Sequence, residues 1–156
     1  MASVGTQRPD ATVDGLLIEK MAPQGGFELI VGVTRDPVFG HVMTFGLGGI
    51  YVEILRDVTR RLLPLTARSA AAMVREMRCY PLLAGARGRL PADLAALERL
   101  LLRVSGFVMQ HADTLEEMDL NPVWVGAVGE GAMPLDAVLI ERAPQHAAQP
   151  KQAVSA

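Results

Sequence analysis

The sequence predicts an α+β domain in which a mostly antiparallel sheet carries two main helices packed on one face. Short β-rich runs, separated by glycine- and proline-containing turns, fill the first third of the chain and return near its end. Between them, apolar residues recur every three to four positions, as on an amphipathic helix. Strands clustered as hairpins, rather than alternating with helices, favour the antiparallel arrangement. A chain of 156 residues is long enough to bury a core of its own.

Four strands are predicted before the helices, and the turn-like segments APQGG, RDPVFG and GLGG separate them as hairpins. The predicted strands are GLLIEKM (15–21), FELIVGVT (27–34), HVMTFG (41–46) and IYVEIL (50–55).

Two helices are predicted next. The spacing of Ala70, Met73, Val74 and Met77 indicates the first. A second begins after Pro91, where proline costs no helical hydrogen bond. Its apolar stripe consists of Leu94, Leu97, Leu100, Leu101, Val104, Phe107 and Val108.

Strand character returns in LEEMDLNPVWVGAV (115–128) and MPLDAVLIE (133–141), which the turn-like GEG segment joins. The remaining residues, 1–13 and 143–156, are small, polar and proline-bearing, so we expect flexible tails around a domain at 14–142.

Composition excludes several classes of function. The formal net charge of -2 gives no field that favours nucleic acid or an anionic membrane. The single cysteine, Cys79, excludes an intramolecular disulfide and a multi-cysteine metal site. No secretory signal and no apolar run long enough to span a bilayer is evident, so we expect a soluble, cytoplasmic protein.

The stretch MDLNPVWV places a carboxylate and an amide two residues apart in an apolar strand. Asp119 and Asn121 would then project from the same side of the sheet, where their oxygens can share one hard cation such as Mg²⁺. Asp136 would lie beside Asn121 if the last two strands pair through the GEG turn. An Asx-type turn at Asp119 before Pro122 is the alternative explanation.

Three glycines, Gly46, Gly48 and Gly49, lie within FGLGG (45–49). Bare backbone amides there can approach a phosphate, although a hairpin loop that needs positive φ explains the same glycines. Neither G-x-x-x-x-G-K-[ST] nor G-x-G-x-x-G is present, so a P-loop or a Rossmann fingerprint is not supported.

Four blocks of the sequence, in unbroken order, resemble the ATP-grasp domain of ADP-forming acyl-CoA synthetases of the acetate-CoA ligase type. More distant similarity is to succinyl-CoA synthetase β subunits. The resemblance covers about residues 14–142 and only the second, C-terminal lobe of that domain. The blocks are LIEKMAPQGGFELIVGVTRDPVFG, FGLGGIYVEILRDVTRRLLPLT, YPLLAGARGRLPADL and MDLNPVWV.

The resemblance implies a nucleotide site that holds ATP or ADP with Mg²⁺. Asp119 is implied as a catalytic residue that also contributes to the metal site, and Asn121 and Asp136 as metal ligands. The implied nucleotide-binding residues are Glu19, Lys20 and Met21 at the adenine hinge, Glu28, and Gly46, Gly48 and Gly49 near the transferred phosphate. Glu53, Arg56 and Arg60 either face that phosphate or face water.

The implied reaction converts ATP, a carboxylate and CoA into acyl-CoA, ADP and phosphate through an acyl phosphate and a phosphohistidine. The first ATP-grasp lobe and the CoA-binding ligase part, which carries the phosphohistidine, would have to come from another chain or segment. His41 is interpreted as a surface turn residue rather than a phosphate carrier. A homodimer is expected, and the alternative function is a non-catalytic regulatory or scaffold module of an acyltransferase-type assembly.

Overall fold

The computed structural model describes residues 6–8, 10–12, 14–16, 18–19, 21–48 and 57–142. Within these ranges the chain forms a six-stranded antiparallel sheet whose helices pack on one side. The strands are β1 (Phe27–Asp36), β2 (Gly40–Leu47), β3 (Val58–Leu62), β4 (Leu115–Val125), β5 (Ala132–Pro134) and β6 (Ala137–Glu141). The α-helices are α1 (Ala67–Arg75), α2 (Tyr80–Leu83) and α3 (Leu94–Gln110), with a 3₁₀ turn at Ala86–Gly88.

The strand order is β3-β2-β1-β4-β5, and β6 also pairs with β4. β5 lies against the end of β4, with Val123 opposite Pro134, whereas β6 lies against its first half, with Leu120 opposite Ala137. β4 therefore pairs with β1 along one edge and with β5 and β6 in succession along the other.

Alternation along the central strands explains which side of the sheet is buried. Leu29, Val31 and Val33 of β1 are fully buried, and so are Met43 and Phe45 of β2. Residues between them point to the opposite side, as the two-residue period of a strand requires. The helices cover the apolar side with Met73, Val74, Leu97, Leu101 and Val108, all fully buried.

Side-chain caps fix where the two longer helices begin. Thr66 and Ser69 form a reciprocal capping box at the start of α1. Asp93 caps α3 by accepting the Ala96 N–H at 2.9 Å. Its second oxygen accepts the N–H groups of Gly129 at 3.0 Å and Gly131 at 3.2 Å, so one carboxylate joins α3 to the turn between β4 and β5.

The predicted fold class is confirmed, with corrections to individual elements. Hairpin β1–β2, both main helices and β4 occur where the sequence predicts them. The strand predicted at 15–21 is wrong for the part of it that the structure describes, where Leu16 and Ile18 are highly exposed. The strand predicted at 50–55 lies outside the described residues. The last predicted strand, 133–141, is divided into β5 and β6 at Leu135 and Asp136.

β3 was not predicted. Its inward residues are polar and are anchored to α1: the Thr59 hydroxyl donates to the Met73 carbonyl oxygen at 3.1 Å. Arg61 forms an ion pair with Glu76 just after the same helix.

Among the described residues, no helix is both long and apolar enough to cross a membrane.

Replacing Asp93 by alanine removes the acceptor of three backbone N–H groups and should lower the thermal unfolding midpoint by several degrees. Backbone hydrogen bonds, above all the one from Ala96, hold the pKa of Asp93 below its usual value of 3.8. The folded state therefore binds this proton more weakly than the unfolded state does. The stabilisation is fully present above that usual pKa and is lost as pH falls through the lowered folded-state pKa.

The measurement is the difference in unfolding midpoint between wild type and Asp93→Ala, followed by circular dichroism from neutral pH downward. The difference should shrink at pH values below 3.8, the usual pKa. Asp113→Asn, at an exposed acid just beyond α3, is the matched control and should not change the midpoint. A difference that stays constant across this pH range would contradict the assigned role of the Asp93 carboxylate.

Candidate functional site

The candidate site lies on the open face, defined here as the side of the sheet opposite the helices. Strand register places one residue from each of five strands, all except β5, in a row across this face. The row consists of Arg60 on β3, Thr44 on β2, Gly32 on β1, Asp119 on β4 and Val138 on β6. The row therefore combines a cation, a hydroxyl, a bare backbone position and a carboxylate.

Asp119 is half-buried on the open face, while its neighbours Met118 and Leu120 are buried on the helix side. It pairs across strands with Gly32. A Cβ added at Gly32 would lie 4.0 Å from Asp119 Oδ1 and 3.9 Å from the Met118 carbonyl oxygen. The glycine thus leaves one flank of the carboxylate free of any side chain.

A β-bulge sets the position of Asn121. Val31 of β1 pairs with Leu120 and Leu29 pairs with Val123, so two residues of β4, Asn121 and Pro122, lie opposite a single residue of β1. In a regular strand, residues three positions apart such as Leu120 and Val123 would lie on opposite sides, whereas the bulge allows both to be buried in the core. The bulge leaves Asn121 exposed to solvent beside the open face.

Asp136 lies directly across from this bulge. The Asn121 N–H donates to the Asp136 carbonyl oxygen at 3.3 Å, and the Leu135 N–H donates to the Pro122 carbonyl oxygen at 2.9 Å. One Asp136 carboxylate oxygen accepts the Ala137 N–H at 2.8 Å. The structure therefore brings Asn121 and Asp136 together through the backbone, and both residues are exposed.

Close packing accounts for two of the predicted glycines. A Cβ at Gly46 would lie 2.6 Å from Val58 Cγ1, and one at Gly48 would lie 2.8 Å from the Glu28 carbonyl oxygen. Gly48 also donates its N–H to that carbonyl at 2.8 Å. Neither glycine is among the positive-φ glycines, so close approach of strands, rather than turn geometry, explains them. Gly49 lies outside the described residues.

The predicted adenine hinge, residues 19–21, precedes β1 in the chain, and Glu28 lies at the start of β1. Glu19 and Met21 are exposed and in no regular element, and Lys20 lies outside the described residues. Glu28 is exposed on β1 and pairs with Trp124 on β4. Trp124 in turn donates its Nε1–H to the Gly25 carbonyl oxygen at 2.8 Å, which holds the end of the preceding loop against the sheet.

The oxygen donors of the candidate site determine which metal ion it suits. No group of three or more His, Cys, Asp or Glu residues that could hold a metal occurs in the described part of the chain. Asp119, Asn121 and Asp136 instead offer two carboxylates and one amide oxygen, the hard oxygen donors that Mg²⁺ takes in small number beside water and phosphate. The chemistry of this set fits magnesium better than zinc, which prefers nitrogen and sulfur ligands.

His41 and Cys79 have structural roles. The prediction that His41 is a surface turn residue is wrong. His41 is buried on β2, and its Nε2 lies 2.9 Å from the Leu115 carbonyl oxygen. Burial first, and then the Asp57 carboxylate, raise the pKa of Cys79 to about 12, so its thiol is protonated at neutral pH.

Sequence reasoning missed Gly32 and Thr44 as members of the open-face row. Alternation puts Asp119 and its neighbour Met118 on different faces of the sheet. Once the strand register is known, the same rule puts Gly32 and Thr44 on the face of Asp119. That register depends on contacts between β1, β2 and β4, which are far apart in sequence, so no local signal reveals the row.

Comparison with known proteins gives a family match for most of the chain. Residues 1–140 match a family model described as an ATP-grasp domain. The chain is similar to the beta subunit of the ADP-forming acetate–CoA ligase II of Pyrococcus furiosus, with 53% identity over 133 residues, 85% of this chain and 56% of that subunit. It is also similar to the ADP-forming acetate–CoA ligase I of Archaeoglobus fulgidus, with 48% identity over 141 residues, 90% of this chain and 20% of that protein.

Solved structures show the same fold. A protein from Pyrococcus horikoshii matches with a TM-score of 0.78 at 48% identity, over 90% of this chain and 59% of that chain. The dinucleotide-forming acetyl-coenzyme A synthetase 1 of Candidatus Korarchaeum cryptofilum, in complex with coenzyme A and Mg-AMPPCP, matches with a TM-score of 0.71 at 42% identity, over 78% of this chain and 55% of that chain. The chain thus spans a little over half the length of these solved chains.

Gly48→Ala should lower the free energy of unfolding by about 1–3 kcal/mol, because its Cβ would overlap backbone atoms that cannot move independently. Gly32→Ala is the matched control on the neighbouring strand, where the nearest atom would lie 3.9 Å away. It should leave stability unchanged or raise it by about 0.5–1 kcal/mol. Urea denaturation measures both, and a Gly48→Ala variant as stable as wild type would contradict the packing explanation.

Proposed function

Because the chain belongs to the ATP-grasp domain family, we propose that it is the second, nucleotide-binding lobe of an ADP-forming acyl-CoA synthetase. The complete enzyme would convert ATP, a carboxylate and CoA into acyl-CoA, ADP and phosphate. The observation that carries the proposal is the cluster of oxygen donors on and beside the open face, where Asp119 lies on β4 and Asn121 and Asp136 are joined by a backbone hydrogen bond.

In the proposed site, Asp119, Asn121 and Asp136 would hold Mg²⁺. Val138 pairs with Asp119 and shares the open face with it. Asp136 precedes Val138 by two residues, so strand alternation favours the open face for its free carboxylate oxygen as well. When bound, the ion would neutralise charge on the phosphate oxygens during phosphoryl transfer. The half-buried position of Asp119 limits the motion of its carboxylate, so this oxygen is positioned before a nucleotide arrives.

Other residues of the open face would admit and orient the nucleotide. Gly32 carries no side chain beside Asp119, and Thr44 next to it presents a hydroxyl that can donate to a phosphate oxygen. Glu28, at the end of the sheet where Trp124 holds the preceding loop, is proposed to lie near the nucleotide. Glu19, Lys20 and Met21 are proposed to line the adenine, and Gly46, Gly48 and Gly49 to lie near the transferred phosphate.

The chain is proposed to act with further parts. It spans a little over half of the Pyrococcus furiosus beta subunit and a fifth of the Archaeoglobus fulgidus ligase. A first ATP-grasp lobe would cover the nucleotide from above the open face, and a CoA-binding ligase part would receive the phosphoryl group. The chain by itself should therefore bind Mg-nucleotide weakly and show no turnover, which a coupled assay for acyl-CoA formation would test.

Calorimetric titration of Mg-ADP into the purified chain tests the site itself. Asp119→Asn, Asn121→Ala and Asp136→Ala should each weaken binding by about tenfold or more, because each removes an oxygen that contacts a charged centre. Chelation of magnesium should weaken wild-type binding to a similar degree.

Glu117→Gln is the matched control, since Glu117 occupies the next row of the open face, opposite Thr34 and Ile140. It should leave the affinity unchanged. An identical, negligible heat signal in wild type and in all variants would contradict the proposal and favour a non-catalytic scaffold module.

Arg60 and its neighbour Arg61 provide a second, independent test, because they project from opposite sides of β3. Arg60 is exposed in the row of Asp119, at a backbone distance of about 14 Å given three strand spacings of about 4.8 Å. A nucleotide phosphate between them would be attracted to its guanidinium. Arg60→Gln should weaken Mg-ATP binding by about threefold to tenfold, with a larger effect at low salt.

Arg61→Gln should leave nucleotide affinity unchanged, since Arg61 faces α1 and pairs with Glu76. It should lower stability by only about 0–1 kcal/mol, as expected for a partly exposed ion pair. Equal effects of the two substitutions on nucleotide affinity would show that Arg60 does not contact the phosphates.

A further inference from the structure

The edge strand β6 has an unusual surface for the margin of a sheet. All five of its residues are exposed, including three consecutive apolar side chains: Val138 at 54%, Leu139 at 48% and Ile140 at 46%. Within the described residues, β6 pairs only with β4, so its outer backbone groups have no strand partner there. Edge strands of monomeric proteins normally carry charges, prolines or bulges that prevent pairing, and residues 137–140 carry no charge or proline.

A groove runs beside β6 on the helix side of the sheet, with a volume of about 770 Å³. Apolar residues of α3, β4 and β6 line it, among them Val104, Phe107, Met118 and Leu139. The same lining includes two cations, Arg99 and Arg103, which lie one helical turn apart on α3.

Neither arginine forms an ion pair within the described chain, although Arg99 lies close enough to the Asp93 carboxylate to help lower its pKa. Within the same described residues, no acidic side chain lines the groove. The groove is therefore an apolar surface with a positive border, and it fits a partner that brings apolar side chains and a carboxylate.

We propose that β6 and this groove form a two-fold interface with a second copy of the chain, in which the two β6 strands pair antiparallel about Leu139. This register overlaps all five residues of each strand. It places Leu139 opposite Leu139, Val138 opposite Ile140, and Ala137 opposite Glu141. The two sheets then continue as one, and no free edge remains at β6.

Strand alternation determines which face each pair occupies. Ala137 and Leu139 pair with Leu120 and Met118 of β4, so they face the helix side, and Glu141 follows on that side opposite buried Leu115. The second copy's Glu141, opposite Ala137, would therefore enter the side of the sheet that holds the groove and its two arginines. Val138 and Ile140 face the open side, where β-branched cross-strand pairs are favourable.

The chain itself thus supplies the chemistry that the groove requires. Each copy would give the other an apolar strand and one carboxylate, and each would receive the same contacts in return. This self-complementarity is the property of a two-fold interface, and it selects a second copy over an unrelated partner.

Analytical ultracentrifugation of the full chain over a range of concentrations tests the proposal. Wild type should show a reversible monomer–dimer equilibrium. Leu139→Lys should raise the dissociation constant by about tenfold or more, because it places two ammonium groups opposite each other at the centre of the interface. Val38→Lys, at a side chain that is 79% exposed in the β1–β2 turn, is the control and should dimerise as wild type does.

Charge reversal separates contact between copies from effects within one copy. Arg99→Glu/Arg103→Glu and Glu141→Arg should each dimerise more weakly than wild type. An equimolar mixture of the two variants should regain dimerisation, because every arginine would then meet a glutamate of the other copy. Circular dichroism checks that each variant is folded.

A wild-type chain that remains monomeric up to the highest soluble concentration would overturn the proposal. So would a dimer that neither Leu139→Lys nor charge reversal weakens, since that dimer would use another surface. Absence of rescue in the mixture would show that Glu141 does not meet the arginines of a second copy. All of these measurements are made without nucleotide, so a failure of this proposal is distinguishable from a failure of the proposed function.

Discussion

The bulge in β4 is the constraint on which both faces of the sheet depend. Strand alternation forces each residue to choose between the apolar core and the open face, and a regular β4 cannot bury both Leu120 and Val123. The additional residue at Asn121–Pro122 resets the alternation, so the core remains continuous along the whole strand. As a result, a polar residue is displaced to the border of the open face without any loss of apolar burial.

The break between β5 and β6 complements this bulge. Because β4 bends at Asn121, a single straight partner strand cannot follow it, and the chain opposite divides at Leu135 and Asp136. Backbone hydrogen bonds between the two irregular segments keep them in register. Asp93 secures the other end of the same hairpin by holding the Gly129 and Gly131 amides against the start of α3. The apolar core thus positions polar side chains that lie outside it.

Local sequence signals predicted those parts of the fold that depend on periodicity alone. The hairpin of β1 and β2 and the helices α1 and α3 follow from periods of two or about three and a half residues. The shared direction of Asp119 and Asn121 was predicted from the same period and stays a prediction, because the bulge interrupts the alternation at Asn121. The proximity of Asp136 to Asn121 followed from the short GEG turn. These inferences needed no knowledge of distant contacts.

Features that depend on residues far away in the sequence could not be predicted. β3 resembles a polar loop because its inward residues, Thr59 and Arg61, are satisfied by α1 rather than by the core. His41 is buried because its ring Nε2–H donates a hydrogen bond to the Leu115 carbonyl oxygen, 74 residues away. The segment 15–21 is rich in strand-forming apolar residues, but Leu16, Ile18 and Met21 are highly exposed. Such a run forms a strand only where a sheet neighbour is present.

The exposure of all five β6 residues has a consequence for the dynamics of the molecule. Among the described strands, β6 pairs with β4 alone and has little core packing, so we expect local unfolding to begin there, at a free energy below that of the whole domain. If β6 detaches while β5 stays in place, Asp136 loses its fixed relation to Asn121, and the proposed cation site loses one of its three oxygens. Any contact that prevents fraying of this strand therefore increases the fraction of molecules whose site is intact, and so links assembly at the margin of the sheet to ligand affinity on its face.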